Sequence, residues 1–305
     1  MAPIVIKCFA GWMPDDESTY NLVLRMYNWA SDENYGTKYQ FTYGEDFTHA
    51  ILFNLARPAL TIPKDNVIGL AQEPIEFLRV TDSHIAYCDR HIKKYFIGNI
   101  SVNSGDVLRP PYIEGMSYIF PSISWSKDRV AGEMTNTKTK IMNYVYSCKT
   151  SDRYPHLLYD YRHLLGNVLM TNKIDVDIYG SGARSIKRRY PGNPNVKDMF
   201  KWADIESVYV DYKFSIVIEN SRHPEYFTEK ITNALLCGCV PIYLGCTNID
   251  NYFKDYVVHL TGDVAKDIRI IGDILADPDK YYRPIDVTRV QEIIHLKHLI
   301  AQEFM

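Results

Sequence analysis

The chain lacks long apolar runs, a strong charge of either sign and paired metal-binding cysteines, and each lack removes a class of function. No hydrophobic segment reaches the roughly 20 residues that a bilayer span needs. The formal net charge is −3 over 305 residues, and the longest basic run is Lys187-Arg188-Arg189. So small a charge gives no general attraction to nucleic acid or anionic lipid. The six cysteines, Cys8, Cys88, Cys148, Cys237, Cys239 and Cys246, form no Cys-x-x-Cys pair and no His spacing for zinc. Most lie in apolar segments, as buried thiols of a reducing compartment do. No signal-peptide pattern opens the chain, so a cytoplasmic or otherwise soluble protein is expected. Internal repeats and low-complexity tracts are also missing.

What is present is ordinary in bulk, with 46% hydrophobic and 23% charged residues and length enough for two cores. The 24 tyrosines stand out. Their faces suit sugars or bases, and equally suit half-buried packing. Strands and helices alternate almost throughout. Strands are expected at 3–9, 39–43, 49–54, 67–71, 94–97, 141–147, 174–179, 214–218 and 240–244, with helices at 18–29, 81–91, 154–170, 199–211 and 228–237. This is an α/β rhythm with mostly parallel sheets.

The polar stretch from Lys127 to Lys140 reads as a junction. The expected division is residues 1–130, residues 141–287, and a C-terminal helix at 288–305 that packs back on the first domain. Two such units face each other across a cleft, and ligands sit outside the carboxyl ends of their strands. The loops after Ala71, Ser147, Tyr179 and Ile218 are therefore the places to look.

The loop after Ile218 is the richest. Glu219 to Lys230 is mostly polar, between an apolar strand and an apolar helix. Thr228 suits the helix N-cap and Glu229 the first turn. A helix N-terminus attracts phosphate, whereas Lys230 in the same turn opposes the helix dipole. That lysine makes sense beside a bound anion, or as half of an incidental ion pair on a solvated loop. Glu219, Asn220 and Glu229 can pair with vicinal hydroxyls, and Tyr226 can stack or hydrogen-bond. One anion site with several hydroxyl partners suits a nucleotide sugar.

The segment "YKFSIVIENSRHPEYFTEKITNALLCGCVPIYLG" resembles the signature of the α-1,3-fucosyltransferases, glycosyltransferase family 10. Tyr212, Lys213, Phe214, Glu219, Asn220, Ser221, Tyr226, Thr228, Glu229, Lys230, Ala234, Pro241, Tyr243 and Gly245 fall on its pattern, while Ile218 stands where the pattern has an aromatic. "VDIYGSG" at 176–182 is similar to the family's strand and turn before the nucleotide, with Tyr179 and Gly180. "GLAQEP" at 69–74 is similar to the segment that carries its catalytic carboxylate, and "VLRPPY" at 107–112 to the end of its acceptor-domain pattern.

The resemblance implies a GT-B architecture of two Rossmann-like domains, the first binding the acceptor and the second GDP-fucose. It implies inverting transfer of L-fucose to a glycan hydroxyl, most naturally in α-1,3 linkage, with no obligate metal or other cofactor. Glu73 then takes the acceptor proton, with Glu76 as its neighbouring rival. Lys230, the helix end at Thr228 and Arg153, or Lys149 in its place, stabilise the leaving GDP. Glu229 meets the ribose hydroxyls, Glu219, Asn220 and Ser221 line the donor site, and Tyr226 lies near the pyrophosphate or sugar.

Other readings compete. Asp175-Val176-Asp177 is an Asp-x-Asp that could hold a metal on a diphosphate, but it sits inside an apolar alternation. Gly180-Ser181-Gly182 is a partial dinucleotide fingerprint with Ser185 at its third glycine position. An inverting enzyme using another nucleotide sugar, or a nucleotide-sugar-binding protein without transfer activity, also fits.

Overall fold

The computed structural model describes residues 3–27, 29, 32–98, 100, 108–116, 138–147, 149, 157–181, 188, 192–197 and 202–304. It divides into two compact units: residues 1–127 with 223–228 and 294–305, and residues 128–222 with 229–293.

The first unit holds a six-stranded parallel sheet of β1 (Ile4–Ala10), β2 (Tyr39–Thr42), β3 (His49–Phe53), β4 (Val67–Leu70), β5 (Lys94–Ile97) and β6 (Tyr112–Glu114), in the order β2-β1-β3-β4-β5-β6. Helices α1 (Asp16–Tyr27), α2 (Ile75–Leu78) and α3 (Asp82–His91) follow β1, β4 and α2 in the chain. Central strands of a parallel sheet are covered on both faces and read as unbroken apolar runs. Ile51, Leu52, Phe53, Val67, Ile68 and Leu70 are accordingly buried. The Thr81 side chain accepts from the His84 N–H and caps α3.

The second unit holds a five-stranded parallel sheet of β7 (Lys140–Val145), β8 (Asp177–Tyr179), β9 (Tyr212–Ile218), β10 (Val240–Leu244) and β11 (Val258–His259). Its order is β11-β10-β9-β7-β8. Helix α4 (Tyr159–Thr171) follows β7, and α5 (Glu229–Leu236) lies between β9 and β10. Then come α6 (Asp250–Phe253), α7 (Val264–Ala276) and α8 (Pro278–Tyr281).

Three expectations differ from what is seen. The segment expected as a helix at 199–211 is a tighter 3-10 helix at Trp202–Val208. The tail expected as one helix is two, α9 (Val287–Ile294) and α10 (Lys297–Phe304). The break is held by the His295 ring, whose Nδ1 accepts from the Lys297 N–H at 3.1 Å. The strand expected from Ile174 is ordered as sheet only from Asp177. Helix α10 belongs to the first unit, where Glu303 pairs with Lys93 at 3.3 Å and Lys94 at 2.7 Å. His295 there packs on Trp29 with ring centroids 4.6 Å apart.

No helix among the described residues is long and apolar enough to cross a membrane. Cys8, Cys88, Cys237, Cys239 and Cys246 are all free and buried, and burial pushes Cys239 up to about 12.

Candidate functional site

In the second sheet the chain moves from β7 to β8 on one side, then returns to place β9 on the other. The strand order therefore reverses between β7 and β9, and the crevice at their carboxyl ends is where such sheets bind ligands. The residues leaving β9 there are Glu219, Asn220 and Ser221, all buried.

Arg162, on α4, builds this crevice. It is 2% exposed, and its Nε and Nη2 donate to the Ile218 carbonyl at 3.0 and 2.6 Å. Nη2 also donates to Asn220 Oδ1 at 2.9 Å. The guanidinium lies 4.9 Å from the centre of the Tyr159 ring. The entry to α4 is stitched to the same strand end: the Leu158 N–H donates to the Asn220 carbonyl at 2.9 Å, and Leu157 bridges Ser221. No carboxylate among the described residues forms an ion pair with Arg162. It is thus a buried positive charge held by neutral acceptors and an aromatic face, and a nearby anion would complete it. The Ser221 hydroxyl is buried with no hydrogen-bond partner among the described residues. A buried hydroxyl left in this way marks a place for a ligand or water.

Beside it, Lys230 in the first turn of α5 bridges two carboxylates. Its Nζ lies 3.1 Å from Glu229 Oε1 and 3.7 Å from Glu219 Oε2. Glu219 is fully buried, so the Lys230 ammonium supplies positive charge beside a carboxylate that is out of water. The lysine that opposes the helix dipole is thus explained first by these two acids. A Cβ on Gly245 would collide with the Glu219 side chain and the Tyr243 hydroxyl, so only glycine lets the carboxylate lie there. Burial, and then the Glu219 charge, hold the Tyr243 hydroxyl well above its ordinary range. That hydroxyl accepts the Cys246 N–H at 2.9 Å, fixing the end of β10.

The other expected site residues spread more widely. The Tyr179 hydroxyl is engaged with that of Tyr212 at 2.8 Å, and Tyr212 donates to Asp177 Oδ2. Gly180 has φ +90°, and a Cβ there would run into the Tyr146 carbonyl. Its role is the close approach of the β7 and β8 ends. Lys149 accepts a hydrogen bond from His163 Nε2 at its carbonyl, 2.9 Å away. Arg153 lies outside the described residues. Tyr226 and Thr228 are buried on the segment 223–228, which groups with the first unit. There the Tyr226 backbone packs tightly on Gly98. Asp177 is tied by Lys197 at 3.0 Å, and Asp175 accepts from Asn195 at 3.2 Å. Among the described residues no group of His, Cys, Asp or Glu is arranged to hold a metal ion.

In the first unit, Glu73 lies three residues beyond β4, half-buried, in a short connection to α2. Its neighbour Gln72 is fixed by an N–H donated to Asn54 Oδ1 at 2.7 Å, and Pro74 starts α2. The carboxylate is therefore presented at the carboxyl end of a central strand. Glu76 is in the helix itself.

Residues 135–259 match the domain described as the glycosyltransferase family 10 (fucosyltransferase) C-terminal region. A bovine α-(1,3)-fucosyltransferase 4 is 37% identical over 84 residues, covering 27% of this chain and 18% of that protein. A GDP-fucose protein O-fucosyltransferase 3 of Xenopus tropicalis is 27% identical over 131 residues, covering 42% of this chain and 27% of that protein. The matched segments thus span about a quarter or less of these relatives. A crystal structure of an α1,3-fucosyltransferase with GDP-fucose superposes with a TM-score of 0.54 at 14% identity, covering 99% of this chain and 91% of that one. That likeness places the fold in the GT-B α/β class. Residues 135–259 are thus similar to the fucosyltransferase C-terminal domain of glycosyltransferase family 10.

Proposed function

We propose that this protein transfers L-fucose from GDP-fucose to a glycan hydroxyl, in α-1,3 linkage and with inversion. The observation that carries the proposal is the crevice between β7 and β9. Arg162 and Lys230 stand there with Glu219, Glu229 and an unsatisfied Ser221 hydroxyl, inside a family 10 domain.

The diphosphate lies at the amino end of α5, where helix N–H groups and the Lys230 ammonium meet the charge that grows as the sugar–phosphate bond breaks. The Lys230–Glu229 pair opens as the donor enters: Lys230 turns to phosphate and Glu229 to the ribose hydroxyls. Glu219 and Asn220 are pre-set by Lys230 and Arg162 and accept sugar hydroxyls without further ordering. Arg153 and Lys149 add positive charge to the leaving group. Tyr226 and Thr228 complete the donor contacts. Glu73 takes the acceptor proton as the new bond forms on the opposite face of the sugar.

Two measurements test this. A thermal-shift panel of GDP- and UDP-linked sugars ranks donors, since a ligand specific for the folded state stabilises by RT ln(1 + [L]/Kd). GDP-fucose and GDP should raise Tm and UDP-sugars should not; a UDP-sugar preference would overturn the donor. Glu73→Gln should keep the GDP shift and lose transfer. Unchanged turnover in that variant would move the base elsewhere, to Glu76 first.

A further inference from the structure

Three large apolar side chains stand out as exposed among the described residues, and two of them, Trp12 at 45% and Tyr43 at 48%, share one edge of the first sheet. Trp12 lies two residues beyond β1, and Tyr43 follows β2 directly. These strands are neighbours, and the next, β3, ends in Phe53. Trp12 meets Phe53 edge-on with ring centroids 6.2 Å apart, and Tyr43 meets Tyr20 of α1 at 5.3 Å. Three consecutive strand ends therefore carry aromatic rings, and two of the rings are left open.

The place in the fold gives this meaning. The first sheet also reverses its strand order, between β1 and β3, so its own ligand crevice opens at these carboxyl ends. Glu73 leaves β4, the neighbour of β3, at the same end of the sheet. Strands lie about 4.8 Å apart, so β1 and β4 are separated by roughly 10 Å.

The surroundings argue against a protein-docking patch. Asp15 in the loop after β1, Asp16 and Glu17 in the first turn of α1, and Glu45 and Asp46 after β2 stand near one buried lysine of β1, Lys7. Lys7 pairs with Asp16 at 3.0 Å and Glu45 at 2.9 Å, and its charge is spent there. The Ser18 hydrogen bonds hold Asp15 below the usual carboxylate range, so it is ionised. Open aromatic faces among carboxylates match a ligand with C–H faces and hydroxyl edges, and the excess negative charge repels an anionic one.

We propose that Trp12 and Tyr43 form a stacking subsite for a neutral saccharide, the part of the acceptor glycan next to the hydroxyl that Glu73 deprotonates. The proposal rests on the fucosyl-transfer reading for the role of the bound sugar, but not for the binding itself.

The test uses the full chain, a neutral glycan array and a matching sialylated set, with saturation-transfer NMR on the best binder. Trp12→Ala and Tyr43→Ala should each weaken neutral-glycan binding about 10- to 100-fold. In turnover they should raise the acceptor KM by a similar factor while leaving the GDP-fucose KM and the GDP-induced thermal shift unchanged. Trp12→Phe should recover most of the affinity, and sialylated glycans should bind worse than their neutral parents.

Binding of no neutral glycan, or binding and acceptor KM unaffected in both alanine variants, overturns the subsite. So does preference for an unglycosylated peptide acceptor that ignores these rings. Trp12-dependent glycan binding without GDP-sugar turnover would leave the subsite standing and remove the transferase reading. Turnover indifferent to Trp12 and Tyr43 would do the reverse.

Discussion

Lys230 illustrates how one side chain can have both a structural and a chemical reason to exist. Between Glu219 and Glu229 it neutralises a fully buried carboxylate, and in the proposed reaction it meets phosphate. Lys230→Ala should therefore do two things. It should remove a charge-assisted contact of about 1.5–3 kcal/mol, raising the donor Kd about 10- to 150-fold. It should also lower Tm without ligand, because a positive charge beside the buried Glu219 carboxylate is lost. Calorimetry with GDP and a thermal melt measure the two effects separately. A melt unchanged from wild type would show that Glu219 has another counter-charge.

At the scale of elements, the joint between α4 and the end of β9 matters most. Arg162 makes three hydrogen bonds across it, and no hydrogen bond to a carboxylate is among them. Arg162→Met keeps much of the volume and removes the donors, so the charge-assisted hydrogen bonds to the Ile218 carbonyl and Asn220 are lost at about 1.5–3 kcal/mol each. GDP affinity should fall together with the urea midpoint; a loss of affinity at unchanged stability would show that Arg162 acts on the ligand alone.

The strands around this joint were legible because buried parallel strands are unbroken apolar runs, as in Phe214–Ile218 and Val240–Leu244. The loop from Glu219 to Lys230 was legible because its polar residues interrupt that pattern. Arg162 was not. It sits within a helical repeat that reads as core and surface, and nothing in its spacing says that the guanidinium turns inward. The short strands β6 and β11 were also missed, since three- and two-residue edge strands leave too little alternation to read. Helix α7 is capped at Asp263, whose side chain accepts from the Ala265 and Lys266 N–H groups, a capping signal that lies outside the elements expected from spacing.

For the whole molecule, stability is expected to depend on pH through His84. Its ring is buried against Tyr112, 2.8 Å from the phenol oxygen, and packs beside Cys88. Burial, and then the Arg57 charge, lower its pKa to about 4. Above the unfolded value of about 6.5 both states are neutral and stability is whole. As pH falls from there toward 4 the unfolded chain takes the proton first, and roughly 2–3 kcal/mol is lost. Below 4 this contribution is flat. Urea midpoints measured from pH 7.5 to 4 should fall along this course, and His84→Gln should flatten the slope; an equal slope in that variant would assign the loss to other groups.

The pairing of Lys93 and Lys94 with Glu303 has a consequence for the order in which the protein is made. The first unit is built from residues 1–127 and closed by residues 294–305. Its sheet leaves the ribosome early, but the segment whose His295 packs on Trp29 and whose Glu303 pairs with the two lysines follows only after the second unit. At ordinary elongation rates that is a wait of about ten to thirty seconds. During it the half-covered sheet is a natural client for a chaperone, and a ribosome stalled before residues 294–305 emerge would hold a chain whose second unit is complete and whose first is not.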